Sequence, residues 1–390
     1  MDQRRRENNN RPRNREFKIE RKKGNVWFGN PYFHFYNNSD IIDPKEPEVK
    51  KKFFMDVFNQ FNSKVENFAL LINKFIPIFD IELIEYGERE NRKKLFSLKE
   101  KCLEETTKKD FFCNVIEKYY FAKQDYTDKK YNSQIECIKN ALISEKNEGK
   151  ENYKLVFDKN IPNISPLICG FGSTHVLETS LTLHHIWGVP YIPASSLKGV
   201  CREVAFWKLV EKRNLQNESQ INELQNQFYG NLFYNNDEIL KYQLLFGAQD
   251  FKGLLIFLDV LPDASNNKGK LFKLDIMNPH YSSYYSDDSG KTAPGDWDNP
   301  IPILFLTVRE GINFKFIVLF DNYRWNRIKE NGLYIINEKG DKLKVNIPYD
   351  KVEELIGDNN FFNQILKDTL DTYGVGSKTR LGYGSFKIQS

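Results

Sequence analysis

The sequence predicts an α+β protein in which a mainly helical N-terminal region precedes a strand-rich remainder. Two patterns predict it. Between Lys50 and about Ile76, Phe53, Phe54, Val57, Phe58, Phe61, Val65, Phe68, Leu71 and Ile72 recur mostly at three- and four-residue steps, the period of an amphipathic helix. After the breaker EKNEGKEN the texture changes to short β-branched and aromatic runs bounded by Gly, Pro and Asn, the mark of strands. The chain of 390 residues is 40% hydrophobic and 14% aromatic, enough for one large core or two moderate ones, which excludes disorder as its general state.

Taken in order, residues 1–23 (MDQRRRENNNRPRNREFKIERKK) are too polar to bury anything and form a disordered basic arm. Two roles are open for it, a nonspecific RNA contact and a solubilising tail. Residues 24–150 form the mainly helical region, with the Lys50–Ile76 helix and a further helical pattern from Tyr131 to Ile143. A partner-docking role suits it. In residues 151–390 the strand candidates are YKLVF, SPLICGFG, GLLIFLDVLP, KLFKLDIM, PILFLTV and NFKFIVLF. Helical patterns at roughly Ser196–Asn214 and Val352–Thr372 interrupt them, and SFKI closes the chain as a last strand. Strand, helix, a group of strands, helix, strand is an α+β order of the ferredoxin-like kind.

The formal charge is only +4, but the arm holds ten Lys and Arg against four Asp and Glu, so the remaining chain carries about −2. Affinity for polyanions must then come from local patches. The five cysteines, Cys102, Cys113, Cys137, Cys169 and Cys201, show no CxxC, which argues against a structural zinc site and reads as core thiols in a reducing compartment. No run of about eighteen apolar residues and no apolar signal core is present, so a cytoplasmic protein without a membrane partner is expected.

Two stretches carry chemistry. In PYIPASSLKGVCREVAFWKLV, Pro190 and Pro193 disfavour helix before Ala194, and Ser195 or Ser196 is expected to supply the capping oxygen. Leu197, Val200, Cys201, Val204 and Ala205 form the apolar side, which leaves Lys198 and Arg202, four residues apart, on another face near the positive end of the helix dipole. Free amides, a hydroxyl and two cations together suit an anion such as a phosphate. Gly199 costs about 1 kcal/mol against Ala inside a helix, which points to a close approach to the backbone there. An ordinary capped amphipathic helix with solvated cations is the competing account.

The second stretch, GVGSKTRLGYG, begins at Gly374 and holds Gly376, Gly382 and Gly384 around Ser377, Lys378, Thr379 and Arg380. Such glycine density permits positive φ and a nest of amides. The Walker A spacing is not matched, and only six residues follow Gly384, too few for the helix and sheet of a nucleotide-binding loop. A loop gripping a polynucleotide backbone and a plain glycine turn both remain open.

With both stretches in hand, the sequence resembles the RAMP superfamily of CRISPR proteins, marked by a PGSSLKG-like helix start and a C-terminal glycine-rich loop, here PASSLKG and GVGSKTRLGYG. Through GFGSTHVLETSLTLHHIWGVPYIPASSLKGVCR, LLFGAQDFKGLLIFLDVLP, LDIMNPHYSSYY and DWDNPIPILFLTV it resembles the family of the sixth RAMP subunit of the type III-B CRISPR effector, the Cmr complex, over roughly residues 150–390. Ala194 and Ser180 stand where that family carries glycines.

The resemblance implies an RRM-like (ferredoxin-like) RAMP domain with insertions, bound to other RAMP subunits along a guide (CRISPR) RNA, toward its 3′ end, and to target RNA. It further implies a non-catalytic subunit, with Ser195, Ser196, Lys198, Arg202, Gly374, Gly376, Ser377, Lys378, Thr379 and Arg380 holding the guide backbone and no cofactor or metal ion. The alternative is a RAMP ribonuclease that cleaves guide precursor or target, for which His175, His184, His185 and Glu178 are the candidates. Glu178 lies twelve residues before Pro190, about where slicing relatives place an aspartate, but it is one methylene longer. His184 and His185 would point to opposite faces if that segment were extended.

The polar, aromatic segment from Asn278 to Pro300 is too long for an idle connection. Tyr281, Tyr284, Tyr285 and Trp297 suit base stacking, at about 1–3 kcal/mol each. Asp287, Asp288, Asp296 and Asp298 repel phosphate, so contact with a neighbouring subunit is the other account of the segment.

Overall fold

The structure is a computed structural model. It describes residues 25–28, 34–37, 77–78, 81–83, 96–98 and 125–390, except 148–149, 173–174, 176–178, 234–235, 264–270, 296, 337–339, 341, 358–360 and 389–390. The chain divides into two compact units, Met1–Lys109 and Asp110–Ser390. In the first unit the described elements are short strands: β1 (Asn25–Phe28), β2 (His34–Asn37), β3 (Pro77–Ile78), β4 (Ile81–Leu83) and β5 (Phe96–Leu98). β1 lies between β2 and β3, and β4 pairs with β5. The basic arm and the Lys50–Ile76 helix lie outside the described residues.

The second unit opens with helix α1 (Asp125–Ser144), which covers the expected Tyr131–Ile143 pattern, and the small hairpin β6 (Lys146–Asn147) and β7 (Lys150–Glu151). Next comes β8 (Tyr153–Pro162), the first strand of the main sheet. Lys139 on α1 donates to Asp158 on β8 at 2.8 Å, and Lys315 of the neighbouring strand reaches the same carboxylate, which ties the helix to the sheet.

Helix α2 (Ala194–Lys212) follows, then α3 (Glu218–Tyr229) and α4 (Asp237–Phe246). Asn217 and Asn236 cap α3 and α4 by accepting from amides of their first turns. Neither helix is anticipated by the strand texture, although an Asn followed by acidic residues is a helix-start signal in both cases.

Strands β9 (Leu255–Phe257) and β10 (Leu261–Pro262) split the expected GLLIFLDVLP run in two. β11 (Phe272–Met277) and β12 (Ile303–Val308) form a separate antiparallel pair, with the short turn α5 (Ser282–Tyr285) between them. β13 (Asn313–Asp321) then runs antiparallel to β8 on one side and to β9 and β10 on the other. On the outer side of β8, Asn163 bridges Phe386 antiparallel, so the expected last strand is present only as a single bridge. The sheet therefore runs from the C-terminal segment through β8 and β13 to β9.

Beyond β13 come α6 (Asn322–Asn331), the hairpin β14 (Leu333–Ile336) and β15 (Lys342–Val345), α7 (Tyr349–Leu355) and α8 (Phe361–Asp368). Where one helix is expected over Val352–Thr372, α7 ends at Leu355 and α8 runs on into a π turn, Thr369–Tyr373. The run Gly357-Asp358-Asn359-Asn360 between them is poor in helix formers.

The core lies between this sheet and the helices packed on it. Leu197, Cys201, Val204, Ala205 and Leu209 on α2 are buried, as are Phe362, Ile365 and Leu366 on α8 and Phe314, Phe316 and Val318 on β13. Each of the leucine, isoleucine, valine and phenylalanine side chains among them contributes about 1.5–3 kcal/mol on leaving water. Asn163, buried among them, donates to the carbonyls of Ser165 and Arg309 and accepts from the Ile312 amide at 2.8 Å, so its polar atoms are satisfied where β8 ends.

Residues 165–172, expected as a strand, do not form one. Their backbone is a hub instead. Leu167 exchanges both hydrogen bonds with Val308, Pro166 O accepts from Gly384 N, Ile168 O from Ser377 N and Cys169 O from Thr182 N. Carbonyls that point to three different segments cannot also serve one ladder. Of the cysteines described, Cys169 and Cys201 are core thiols and Cys137 is exposed, which corrects that expectation for Cys137.

Candidate functional site

Helix α2 begins at Ala194, as Pro190 and Pro193 imply, but neither serine caps it. Pro193 is the cap residue, with no side-chain bond to the first turn, and the Ala194 amide donates to Asp259 Oδ1 at 2.7 Å. Asp259 arrives from the turn between β9 and β10, so this capping oxygen is supplied by a residue distant in sequence. Ser195, Ser196 and Gly199 are exposed, and nothing lies within 4 Å of the position a Cβ on Gly199 would take. Among the described residues none makes a close approach to that glycine.

Lys198 and Arg202 share a half-buried face, as their spacing implies. Lys198 Nζ donates to the Leu255 carbonyl at 2.8 Å. Arg202 donates to the Phe228 carbonyl at 3.2 Å and lies 4.7 Å from the centroid of the Tyr229 ring. Burial pushes the Lys198 amine down to about 8, and the charges of Arg202, Lys252 and Arg324 push the same way. Such a group gains when an anion approaches.

The glycine loop packs onto the hub. Val375 N donates to Gly384 O across the loop neck, Ser377 N to Ile168 O and Gly384 N to Pro166 O. Leu381, Gly382 and Tyr383 donate back to Lys378 and Thr379. These bonds fasten the loop to the hub and to itself, and they give two glycines structural work. A Cβ on Gly376 would run into Ile168 O and one on Gly384 into Val375 O, and both residues have positive φ. Lys378 takes the left-handed conformation at φ 60° and sets its amine 4.7 Å from the centroid of Phe171. Arg380 is exposed on the short 3₁₀ turn Thr379–Leu381. Tyr383 closes the loop by donating to Asp275 Oδ2 at 2.8 Å, and that bond and burial push its hydroxyl up to about 12.

Among the described residues no hydrogen bond, ion pair or ring contact joins the cations of α2 to those of the loop. What connects them is the chain from Pro166 to Pro193. The loop sits on Pro166–Phe171, Cys169 pairs with Thr182, Leu183 bridges Pro190 and Ile192 bridges Val260 beside the start of α2. Sequence reasoning missed Asp259, Phe171 and Asp275. None of these reveals its role locally, because each acts only through a partner far along the chain.

Within the connecting chain, His184 and His185 are not on opposite faces. They sit in a turn closed by Gly188 N to His184 O, and their rings stack at 5.3 Å. Trp187 N donates to His184 Nδ1 at 3.3 Å, and burial and the charge of His185 lower the pKa of His184 against the opposing effect of Asp259. Burial lowers that of His175 as well. Glu178 lies outside the described residues. No group of His, Cys, Asp and Glu able to hold a metal ion occurs among the described residues, and none of their helices is long and apolar enough to cross a membrane.

The Asn278–Pro300 segment uses its own carboxylates. Asp287 accepts from the amides of Ser289, Lys291 and Thr292, and Asp298 accepts from the amide and hydroxyl of Ser283. Tyr284, Tyr285 and Trp297 are exposed, Trp297 at 81%, whereas Tyr281 is half-buried.

Comparison with known proteins places this arrangement. A CRISPR Cmr subunit, Cmr6, of Pyrococcus furiosus is 31% identical over 254 residues, 56% of this chain and 64% of its own length. The Cmr6 subunit of Saccharolobus solfataricus is 23% identical over 145 residues, 37% of this chain and 38% of its own. The chain thus matches less than two thirds of either relative. Among solved structures, the crystal structure of Cmr6 from Pyrococcus furiosus is 26% identical, covering 61% of this chain and 99% of its own, with a TM-score of 0.35. A chain of the type III-B Cmr-beta complex bound to cognate target RNA is 17% identical, covering 88% and 90%, with a TM-score of 0.42. The sequence model of the RAMP superfamily matches residues 160–387, which takes in α2, the hub and the glycine loop, and the chain belongs to that superfamily.

Proposed function

We propose that this chain is a non-catalytic guide-RNA-binding subunit of a type III-B CRISPR ribonucleoprotein, contacting the guide backbone toward its 3′ end and helping to position target RNA in antiviral defence. Other RAMP subunits of the Cmr complex are its neighbours. The relatives named Cmr6 support the assembly, and the sheet path supports a ferredoxin-like domain. The elements β8, α2, β9, β13, α8 and the C-terminal segment follow a strand–helix–strand–strand–helix–strand order, with the strands side by side as fourth, first, third and second.

One observation carries the RNA contact. Among the described residues, Lys198, Arg202 and Lys378 direct their charge at carbonyl oxygens and aromatic rings rather than at carboxylates. Each of these hydrogen bonds uses one N–H, whereas a guanidinium offers five and an ammonium three, so each cation keeps capacity for phosphate. Ser195, Ser196 and Gly199 form the open face beside them. Gly374, Gly376, Ser377 and Thr379 shape the loop that presents Lys378 and Arg380.

Purified protein incubated with labelled guide and complementary target, with and without divalent metal, tests this. Binding without cleavage is expected. Cleavage that Glu178→Ala or His184→Ala abolishes overturns it in favour of a ribonuclease. Lys378→Ala and Arg380→Ala are each expected to weaken binding similarly across sequences and to flatten its salt dependence, because phosphate contacts carry no base information. An unchanged slope removes the loop from the interface.

A further inference from the structure

The backbone that enters β9 is gripped from two helices. Lys198 of α2 donates to the Leu255 carbonyl at 2.8 Å, and Arg324 of α6 donates to the Gly253 carbonyl at 3.4 Å. Lys252 immediately precedes these residues and is exposed. Arg202 follows Lys198 by one helical turn. Arg324 also lies 5.1 Å from the centroid of Phe251, much as Arg202 lies over Tyr229. Lys198 and Arg324 thus hold two carbonyls of one short stretch of backbone from two different helices, Lys252 belongs to the turn that leads into it, and Arg202 stands one turn further along α2 on the carbonyl of Phe228.

Their acceptors are almost all neutral. Among the described residues the one ion pair of these cations is Arg324 with Asp321 at 3.9 Å, and that carboxylate also caps α6 by accepting from the Arg324 amide at 3.0 Å. Repulsion among Lys198, Arg202, Lys252 and Arg324 is therefore poorly compensated within the described chain, at a place that is partly desolvated. An anion with several acceptor oxygens would relieve it.

We propose that Lys198, Arg202, Lys252 and Arg324 bind a phosphodiester group of a single-stranded nucleic acid, extending the strand path beyond the start of α2 to the turn before β9. This rests on the RNA-binding function proposed above and adds to it two residues, Lys252 and Arg324, that lie in neither the helix start nor the glycine loop. An acidic segment of a protein partner is the competing occupant.

The full chain is titrated with a labelled mixed-sequence oligoribonucleotide over a range of salt concentrations, as wild type, Lys252→Ala, Lys252→Glu and Lys378→Ala. Because Lys252 is exposed, its variants are expected to unfold at the wild-type temperature. Lys252→Ala is expected to reduce the slope of log affinity against log salt by about 0.7, the value of one single-strand phosphate contact, and Lys252→Glu by at least as much. A slope unchanged in both Lys252 variants but flattened in Lys378→Ala overturns this inference and leaves the RNA-binding function standing. Slopes unchanged in all three overturn both. Unchanged RNA slopes with lost copurification of neighbouring subunits assign the cluster to an acidic protein segment and overturn the inference as well.

Discussion

The start of α2 and the glycine loop both bring cations and glycines together, but they are built in opposite ways. In α2 the backbone is regular, and its glycine, Gly199, faces open space. The cations are the constrained part, because Lys198 and Arg202 are tied to carbonyls of Leu255 and Phe228. In the loop the glycines are the constrained part, since Gly376 and Gly384 lie where a Cβ would meet backbone, while Arg380 is exposed. A glycine beside a lysine therefore means two different things in one chain: room for something outside the fold in one case, close packing inside it in the other.

The largest effect expected from this contrast is at the loop neck. Gly384→Ala forces a side chain onto positive φ and into the Val375 carbonyl, a cost of about 1–3 kcal/mol from backbone strain alone. The melting temperature is expected to fall by about 2–12 °C. An unshifted melting temperature breaks the claim that the loop glycines serve packing.

A smaller effect concerns the buried amine. The Lys198 pKa in the folded chain is about 8 against an ordinary 10.5, so below pH 8 both folded and unfolded chains hold the proton and the burial penalty is fully present. Between pH 8 and 10.5 the unfolded chain holds more protons, and stability must rise with pH from this group. Tyr383, Cys169 and Cys201, whose pKa values are raised to about 12, act in the opposite sense over the alkaline range. The difference between wild type and Lys198→Met isolates the lysine. It is expected to shift in favour of wild type as pH rises from 8 to 10.5 in denaturant titrations, and a flat difference places the amine in water.

Smaller again is Gly199→Ala. Alanine suits an exposed helix interior better than glycine by about 0.5–1 kcal/mol, so the melting temperature is expected to rise by about 1–4 °C. If RNA affinity falls in the same variant, the open face is the one that RNA approaches, and the contrast with Gly384 is sharpened. The least effect is chemical. A thiol reagent added to the folded protein is expected to label Cys137 and spare Cys169 and Cys201 until unfolding, because burial holds the latter two as neutral thiols. Rapid labelling of Cys201 breaks the packing of α2 against α8.

Much of the fold was legible because its signals are local. The α2 helix starts at Ala194, where the prolines allow, its apolar face is buried, and β8, β11, β12 and β13 lie within or around the expected runs. The misses share a cause. Residues 165–172 have strand composition but carry carbonyls claimed by the glycine loop and by Thr182, so tertiary partners overrode propensity. The two histidines turned out stacked because the chain turns at Gly188, and the cap of α2 came from Asp259 rather than from a neighbouring serine.

By itself the sequence determined the mixed α+β texture, the spacing that sets Lys198 and Arg202 on one helix face, and the motifs by which the chain resembles RAMP proteins. These are one-dimensional properties, set by helical period, proline and glycine. Only the tertiary structure decided that Asp259 caps α2, that Phe171 and Tyr383 hold the loop, and that Lys252 and Arg324 join Lys198. Each of those depends on bringing together residues tens of positions apart, and no local pattern encodes which distant carbonyl or ring a side chain will meet.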